Sequence, residues 1–305
     1  MRTGFATIVG RPNVGKSTLV NAIVGTKVSI TSPRPNTTRH NVRGILHRPD
    51  AQVVFVDTPG LHRPRTALGE RLNGTAVASL ADLDVAVALV DATAAIGPGD
   101  RFVLSRALEA TRGDAGLLVA VNKIDRARPP EIVAALVSVA DTVDRLVADG
   151  VGRVGGVDGA GSPPDVEFFP VSAATGEGVD ALVDAIVGRL PEGPAYYPDD
   201  MVTDTPEALR VAELVREQLL RRTRDELPHA IACRVTEWEW PRIRVEILVE
   251  RDSQKAIVIG RGGEVLKAVG TAVRQELPPG AYLELFVRVE KRWQQRDDAL
   301  DRLGY

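Results

Sequence analysis

Five short stretches of the chain, 5–9, 51–56, 84–91, 116–121 and 166–171, are apolar at nearly every position. Runs of this kind, without polar alternation, belong to strands covered on both faces. Between them apolar residues fall at helical spacing: Leu19, Val20, Ala22 and Ile23 after the first run, a stretch around 101–110 after the third, and Leu182, Ile186 and Leu190 after the last. Alternating strands and helices predict an α/β domain, doubly wound around a mostly parallel sheet. Ligands of such a sheet bind at the carboxyl ends of its strands.

The pattern changes after a run of prolines and turn formers, Pro191-Glu192-Gly193-Pro194-Ala195-Tyr196-Tyr197-Pro198-Asp199-Asp200. Such a stretch marks a domain boundary. A helix is predicted over 206–227 from Leu209, Ala212, Val215, Leu219 and Leu220. Strands at 230–237 and 242–249 follow, then the apolar Ile257-Val258-Ile259, a glycine turn, a helix running towards Glu276 and a last strand at 282–289. This order is a small α+β domain. The expected organisation is 1–192 for the first domain, 193–204 for a linker and 205–305 for the second. Residues 149–165, rich in glycine, read as a flexible surface excursion.

Composition narrows the class. A length of 305 residues suits two domains, and 44% apolar with 26% charged residues indicates packed structure rather than disorder. The formal net charge of −3 excludes a polycation, so a nucleic-acid contact would be local. The single cysteine, Cys233, excludes an internal disulfide, suits a reducing compartment and reads as apolar filler. The first strand follows Met1 so closely that no targeting peptide is expected, and no run approaches the ~20 apolar residues of a membrane span. The expected location is cytoplasmic.

The chemistry begins where the first strand ends, at Gly10-Arg11-Pro12-Asn13-Val14-Gly15-Lys16-Ser17-Thr18. This G-x-x-x-x-G-K-S sequence between strand and helix is a phosphate loop. Its glycines let successive backbone N–H groups face phosphate oxygens, and the helix N-terminus adds to the field. Lys16 would reach the β- and γ-phosphates and Ser17 would bind Mg²⁺. Downstream, Thr31 to Arg39 is a proline-containing polar loop where a switch would carry a threonine to the metal and γ-phosphate. Thr38 is favoured, with Thr37 the alternative. The strand at 51–56 ends in Asp57-Thr58-Pro59-Gly60, a carboxylate for the metal site followed by a pivot whose N–H meets the γ-phosphate. Lys16, Thr38 and Gly60 are the expected catalytic set; Ser17, Thr38 and Asp57 are the expected metal set.

The nucleobase is read further on. The strand at 116–121 ends in Asn122-Lys123-Ile124-Asp125. The Asp125 carboxylate can accept from both N1–H and the 2-amino group of guanine, whereas adenine offers no such pair and would leave the acceptor unmatched. Asn122 would tie this loop to the phosphate loop, and the Lys123 stem would lie along the base. After the last strand, Ser172-Ala173-Ala174 would offer a backbone N–H, that of Ala173 preferred, to the guanine 6-oxo group. The ligand is therefore GTP or GDP. Leu61 stands where a glutamine could orient water, so unaided hydrolysis is expected to be slow.

In the second domain, Ile259-Gly260-Arg261-Gly262-Gly263 and the nearby Lys267 suggest a nucleic-acid contact. A G-x-x-G turn lets a nucleic-acid backbone approach closely, with about four unstacked nucleotides in the adjoining groove. That groove is expected to be lined by Ile257, Val258, Ile259 and Val265. Residues 200–305 carry 18 Lys+Arg against 19 Asp+Glu, so any basic surface must be a local cluster, such as Arg221, Arg222 and Arg224 or Arg288, Lys291, Arg292 and Arg296.

Together with Asn36–His40, Tyr196-Tyr197-Pro198 and Arg224-Asp225-Glu226-Leu227-Pro228-His229, these motifs resemble the Era family of bacterial GTPases over the whole chain. The resemblance implies a Ras-like P-loop GTPase domain followed by a KH domain of the second topology. It implies a GTP-driven factor in assembly of the small (30S) ribosomal subunit, binding the 3′ end of 16S rRNA, monomeric, with some peripheral membrane contact. Asn13 is similar to the phosphate-loop asparagine of relatives assisted by a monovalent cation, which makes K⁺ a candidate cofactor. The glycine-rich excursion is longer than is usual in the family, and Arg261 replaces a common lysine. Two other readings stand beside it: a GTPase acting mainly on a protein partner, with the KH-like domain as docking module, and a P-loop kinase or ATPase, which Asp125 argues against.

Overall fold

A computed structural model describes residues 1–305 apart from 63, 65, 82, 112–115, 153–163 and 225–226. The glycine-rich excursion falls mostly outside the described residues. The chain forms two compact units: residues 1–29, 38–63 and 72–204 make the first, and residues 30–37, 64–71 and 205–305 the second.

In chain order the first 204 residues give β1 (Arg2–Gly10), α1 (Lys16–Val24), β2 (Val42–His47), β3 (Ala51–Asp57), α2 (Ala67–Ala78), β4 (Val85–Asp91) and α3 (Pro98–Ala110). They continue with β5 (Leu117–Asn122), α4 (Pro129–Ala148), β6 (Val166–Pro170) and α5 (Val179–Arg189). The sheet runs β2-β3-β1-β4-β5-β6, with every pairing parallel except β2 against β3. Side chains alternate across each strand, and the core divides accordingly. Val85, Val87 and Leu89 join one apolar cluster with Leu19 of α1 and Leu182 of α5, while Ala86, Ala88 and Val90 join another with Leu104 of α3 and Val139 of α4. The doubly wound reading therefore holds, with the ends of β1, β3, β4 and β5 along one edge.

Residues 193–204, expected as a linker, pack on the first unit. Gln52, fully buried, accepts from the Tyr196 and Tyr197 amides at 2.7 and 3.0 Å and donates to the Tyr197 carbonyl at 2.8 Å. The Tyr196 ring stacks on Phe5 with centroids 5.3 Å apart, and the Val202 carbonyl accepts from the Ile45 amide at 2.9 Å.

The second unit contains α6 (Glu207–Arg222), α7 (Leu227–Ala230), β7 (Ala232–Glu239), β8 (Arg242–Val249), α8 (Asp252–Ile259), α9 (Glu264–Arg274), β9 (Tyr282–Val289) and α10 (Asp297–Leu303). Its sheet is β7-β8-β9, with β8 antiparallel to β7 and parallel to β9. Val211 and Val215 of α6 pack with Val258 of α8, Val269 of α9 and Ile247 of β8. Cys233 is buried there, as apolar filler would be.

Several elements depart from the sequence reading. α6 stops at Arg222 because Thr223 turns to extended backbone (φ −104°, ψ 158°), while its amide and hydroxyl both cap the Leu219 carbonyl, at 2.9 and 2.7 Å. The short α7 then precedes β7, which starts two residues later than expected. β2 is an antiparallel edge strand whose arginine, glycine and histidine hid it from an apolar-run criterion.

Candidate functional site

The phosphate loop leaves the end of β1 and enters α1 through Gly15, whose φ of 105° is accessible to glycine. A Cβ on Gly15 would lie 2.3 Å from Asn122 Nδ2, so the missing side chain is also what admits Asn122. Lys16 is buried, and its Nζ donates to the Gly10 and Arg11 carbonyls, both at 3.1 Å. Burial pushes its pKa down to about 8, against the opposing pull of Asp57. Arg11 reaches the buried Asp100 at 2.8 Å, which ties the loop to the first turn of α3. Pro12, Asn13 and Val14 form the bend, with Asn13 at a φ of 66°; Thr18 follows Ser17 in the first turn of α1.

Three expected metal-site oxygens converge. Ser17 Oγ lies 2.8 Å from Thr38 Oγ1, and Thr38 Oγ1 donates to Asp57 Oδ2 at 3.4 Å. The Ser29 hydroxyl, which the sequence reading missed, donates to the same Asp57 oxygen at 2.7 Å. Asp57 is fully buried, and its Oδ1 has no hydrogen-bond partner among the described residues. Burial pushes its carboxyl pKa up, opposed by the Lys16 charge and by the hydroxyls of Ser17, Ser29 and Thr38. An orphaned carboxylate oxygen beside hydroxyls is a donor set suited to a hard divalent cation, so these residues fit Mg²⁺. Thr37 points elsewhere: its Oγ1 bonds the Arg34 carbonyl and Ser32 Oγ, both at 2.7 Å. Of the two threonines, Thr38 is the one brought to Ser17 and Asp57.

Past β3, Thr58 Oγ1 donates to the Ile8 carbonyl at 2.8 Å, and Pro59 leads to Gly60. A Cβ on Gly60 would stand 2.8 Å from the Pro12 nitrogen, so only glycine permits this approach to the phosphate loop. Leu61 is buried at 1% exposure, as unable to orient water as the sequence implied. Asn73 of α2 brackets the next residue, accepting from the His62 amide at 3.3 Å and donating to its carbonyl at 2.5 Å.

At the end of β5, Asn122 Nδ2 donates to the Val14 carbonyl at 2.8 Å, the expected tie to the phosphate loop. Its Oδ1 accepts from the Ala173 amide at 2.9 Å. This is a correction: the Ala173 N–H expected to face the base is engaged by Asn122, while Ala174 is the exposed neighbour. Ser172 Oγ donates to Asp125 Oδ1 at 2.7 Å. Lys123, with a φ of 71°, donates to the Asn13 carbonyl at 2.8 Å and to Asp91 Oδ2 at 2.6 Å. Burial works against the Asp91 charge, yet Lys123 and Thr93 together hold its carboxyl below the usual range. Asp91 had one available signal, a carboxylate at the carboxyl end of a covered strand.

In the second unit the turn between α8 and α9 carries positive φ at Gly260, Gly262 and Gly263, at 76°, 60° and 81°. Arg261 and Lys267 are exposed, Ile259 and Val265 half-buried, and Ile257 is 56% exposed. Val258, expected to line the groove, instead faces inward and is fully buried, because one helical face must fill the core.

A phosphate loop, a carboxylate–hydroxyl cluster and an N-K-x-D loop on one sheet edge define a P-loop GTPase, here carrying a KH domain. Residues 5–123 match the family described as "50S ribosome-binding GTPase" and residues 226–294 match the KH domain. The chain is 46% identical to GTPase Era of Mycobacterium avium over 316 residues, covering all of this chain and 99% of that protein. It is also 46% identical to GTPase Era of Mycobacterium tuberculosis, covering 99% of this chain and 98% of the other. Among solved structures, it superposes with a TM-score of 0.87 and 36% identity on Era in complex with MgGDPNP and nucleotides 1506–1542 of 16S ribosomal RNA, covering 100% of this chain and 99% of the other. An Aquifex aeolicus Era variant bound to GDP·AlF₄⁻ matches with a TM-score of 0.87 and 35% identity at the same coverage. The chain belongs to the Era family and is a GTP-hydrolysing enzyme.

Proposed function

We propose that this GTPase binds the 3′ end of 16S rRNA through its KH domain and assists assembly of the 30S subunit, its first domain spanning 1–192, its linker 193–204 and its KH domain 205–305. The observation that carries this reading is the full-length match to Era held with MgGDPNP and a 16S rRNA fragment. It is supported by a G-x-x-G turn in the glycine-specific conformation beside exposed Ile257 and Arg261.

In the nucleotide site, the backbone N–H groups of Gly10 to Thr18, apart from Pro12, which has none, and the Lys16 ammonium hold the phosphates. Ser17, Thr38 and Asp57 would hold Mg²⁺, which would supply positive charge against the phosphate oxygens. Thr58, Pro59 and Gly60 present the Gly60 N–H to the γ-phosphate, and Thr38 and Gly60 together sense its presence. Asp125 reads N1–H and the 2-amino group of guanine, oriented by the Ser172 hydroxyl; Asn122 and Lys123 lock the base loop to the phosphate loop; the Ala174 amide is the donor left for the 6-oxo group. With Leu61 buried, no side chain there polarises the attacking water, so unaided turnover is slow. K⁺ beside Asn13 is a candidate aid. RNA contact falls to Ile259, Gly260, Arg261, Gly262, Gly263 and Lys267. A monomeric state, a cytoplasmic location and peripheral membrane contact are carried by the family resemblance; among the described residues no helix is long and apolar enough to cross a membrane.

Two binding measurements test this reading. GTP should bind at least about a thousandfold more tightly than ATP, and Asp125→Ala should remove most of that preference. Binding of a 3′-terminal 16S rRNA fragment should fall more than about tenfold in a Gly262→Asp/Gly263→Asp variant, since added negative charge repels phosphate. RNA binding that survives that variant would favour a protein partner as the target of the switch.

A further inference from the structure

The second unit buries three charged side chains of one helix: Glu213, Arg216 and Glu217 of α6 are only 8%, 0% and 0% exposed. Burying charge is costly unless each group is paired and hydrogen-bonded, so their partners are informative. Arg216 Nε donates to Glu213 Oε1 at 2.8 Å, and Arg216 Nη2 donates both to Glu213 Oε2 and to the backbone carbonyl of Thr37. One turn along, Glu217 Oε1 accepts from the Thr31 amide at 2.8 Å. Arg34 donates to the Thr223 carbonyl at 3.1 Å, and Ile30 joins the apolar cluster of Val211 and Val215. Segment 30–37 is therefore held near both ends by α6, through Glu217 at Thr31 and Arg216 at Thr37.

The residue after Thr37 is Thr38, where the chain passes back into the first unit. Its hydroxyl is the one that meets Ser17 and Asp57. A carbonyl and the amide that follows share one rigid plane, so fixing the Thr37 oxygen fixes the direction in which the peptide delivers Thr38.

We propose that Arg216 is a positioning residue of the nucleotide switch: its hydrogen bond to the Thr37 carbonyl sets the peptide that brings the Thr38 hydroxyl to Ser17 and Asp57. The effect passes along the chain itself, so a helix outside every nucleotide-binding motif helps decide how well the triphosphate is recognised. This role rests on Thr38 being the group that senses Mg²⁺ and the γ-phosphate.

The test uses the full-length protein in Mg²⁺ and measures three quantities: affinity for a non-hydrolysable GTP analogue, affinity for GDP, and hydrogen exchange of residues 30–39. A Glu213→Gln/Arg216→Met variant removes the bond to Thr37 without stranding the Glu213 charge. Arg216→Lys, which keeps a cation beside Glu213 but lacks the fork that spans both partners, serves as the second variant. Both should lower the preference for the analogue over GDP about tenfold, with GDP affinity within about twofold of the parent. Exchange at the Thr37 and Thr38 amides should quicken with the analogue bound. Equal weakening of both nucleotides with a lower melting temperature would mark Arg216 as merely structural and overturn the proposal. Thr38→Ala separates the two levels. If it abolishes the preference while both Arg216 variants keep it, the positioning role falls alone; if Thr38→Ala changes nothing, the reading beneath it falls too.

Discussion

At the scale of single residues, the site is built from groups whose ordinary chemistry is altered by burial. Lys16 is the clearest case. Its pKa of about 8 leaves about half of the population neutral at that pH and most of it above. Bound phosphates favour the cation, so nucleotide binding takes up a proton once pH exceeds 8. Affinity is full well below pH 8 and falls as pH rises from about 8 towards the higher pKa of the phosphate-bound lysine. GDP should therefore bind about tenfold more weakly at pH 9 than at pH 7; pH-independent affinity in titration calorimetry would show that Lys16 is already fully charged before phosphate arrives. Lys16 itself was legible in the sequence, because phosphate-loop chemistry demands a fixed spacing. Asp91 and Ser29 were not. Each acts on a motif residue, Lys123 and Asp57, from a distant part of the chain; Asp91 offered only its place at the end of a covered strand, and nothing in spacing or residue type marks Ser29. The choice between Thr37 and Thr38 was likewise beyond the sequence, since both are small polar residues of one loop and only the fold decides which faces Asp57.

At the scale of elements, covered strands announced themselves by continuous apolar runs, and β1, β3, β4 and β5 lie where those runs predicted. The edge strand β2 carries Arg43 and His47 on its accessible positions and lacked that signal. The G-x-x-G turn shows why element context matters as much as motif. At Gly260 an added Cβ would sit 2.6 Å from Val265 Cγ2 and 2.9 Å from the Val265 nitrogen, whereas at Gly262 it would meet open space. Both have positive φ. Gly260→Ala should therefore cost more than about 2 kcal/mol, combining backbone strain with overpacking, and Gly262→Ala only about 1 kcal/mol. Thermal melting of the two variants checks this; equal destabilisation would mean that α9 shifts freely to accommodate the methyl group.

At the scale of the whole molecule, composition and the proline-rich stretch near residue 195 pointed to two domains, and the chain does form two compact units. Their membership was not legible. Segments 30–37 and 64–71 cluster with the second unit although they sit within the first 204 residues. Residues 193–204, read as a linker, are fixed through Gln52 to Tyr196 and Tyr197. Gln52→Leu removes three hydrogen bonds to backbone groups at a buried position and should cost about 1–3 kcal/mol. Amide exchange at Tyr196 and Tyr197 should rise sharply in that variant; unchanged protection would show that the Tyr196–Phe5 stack alone holds the stretch.

The central claim is that one chain couples a GTP switch to RNA binding. Its most direct test is the affinity of the intact protein for a 3′-terminal 16S rRNA fragment, measured at one stated salt concentration with either a non-hydrolysable GTP analogue or GDP bound. The account predicts tighter RNA binding in the analogue-bound form. Equal affinity in the two states would contradict it and place the output of the switch on another partner.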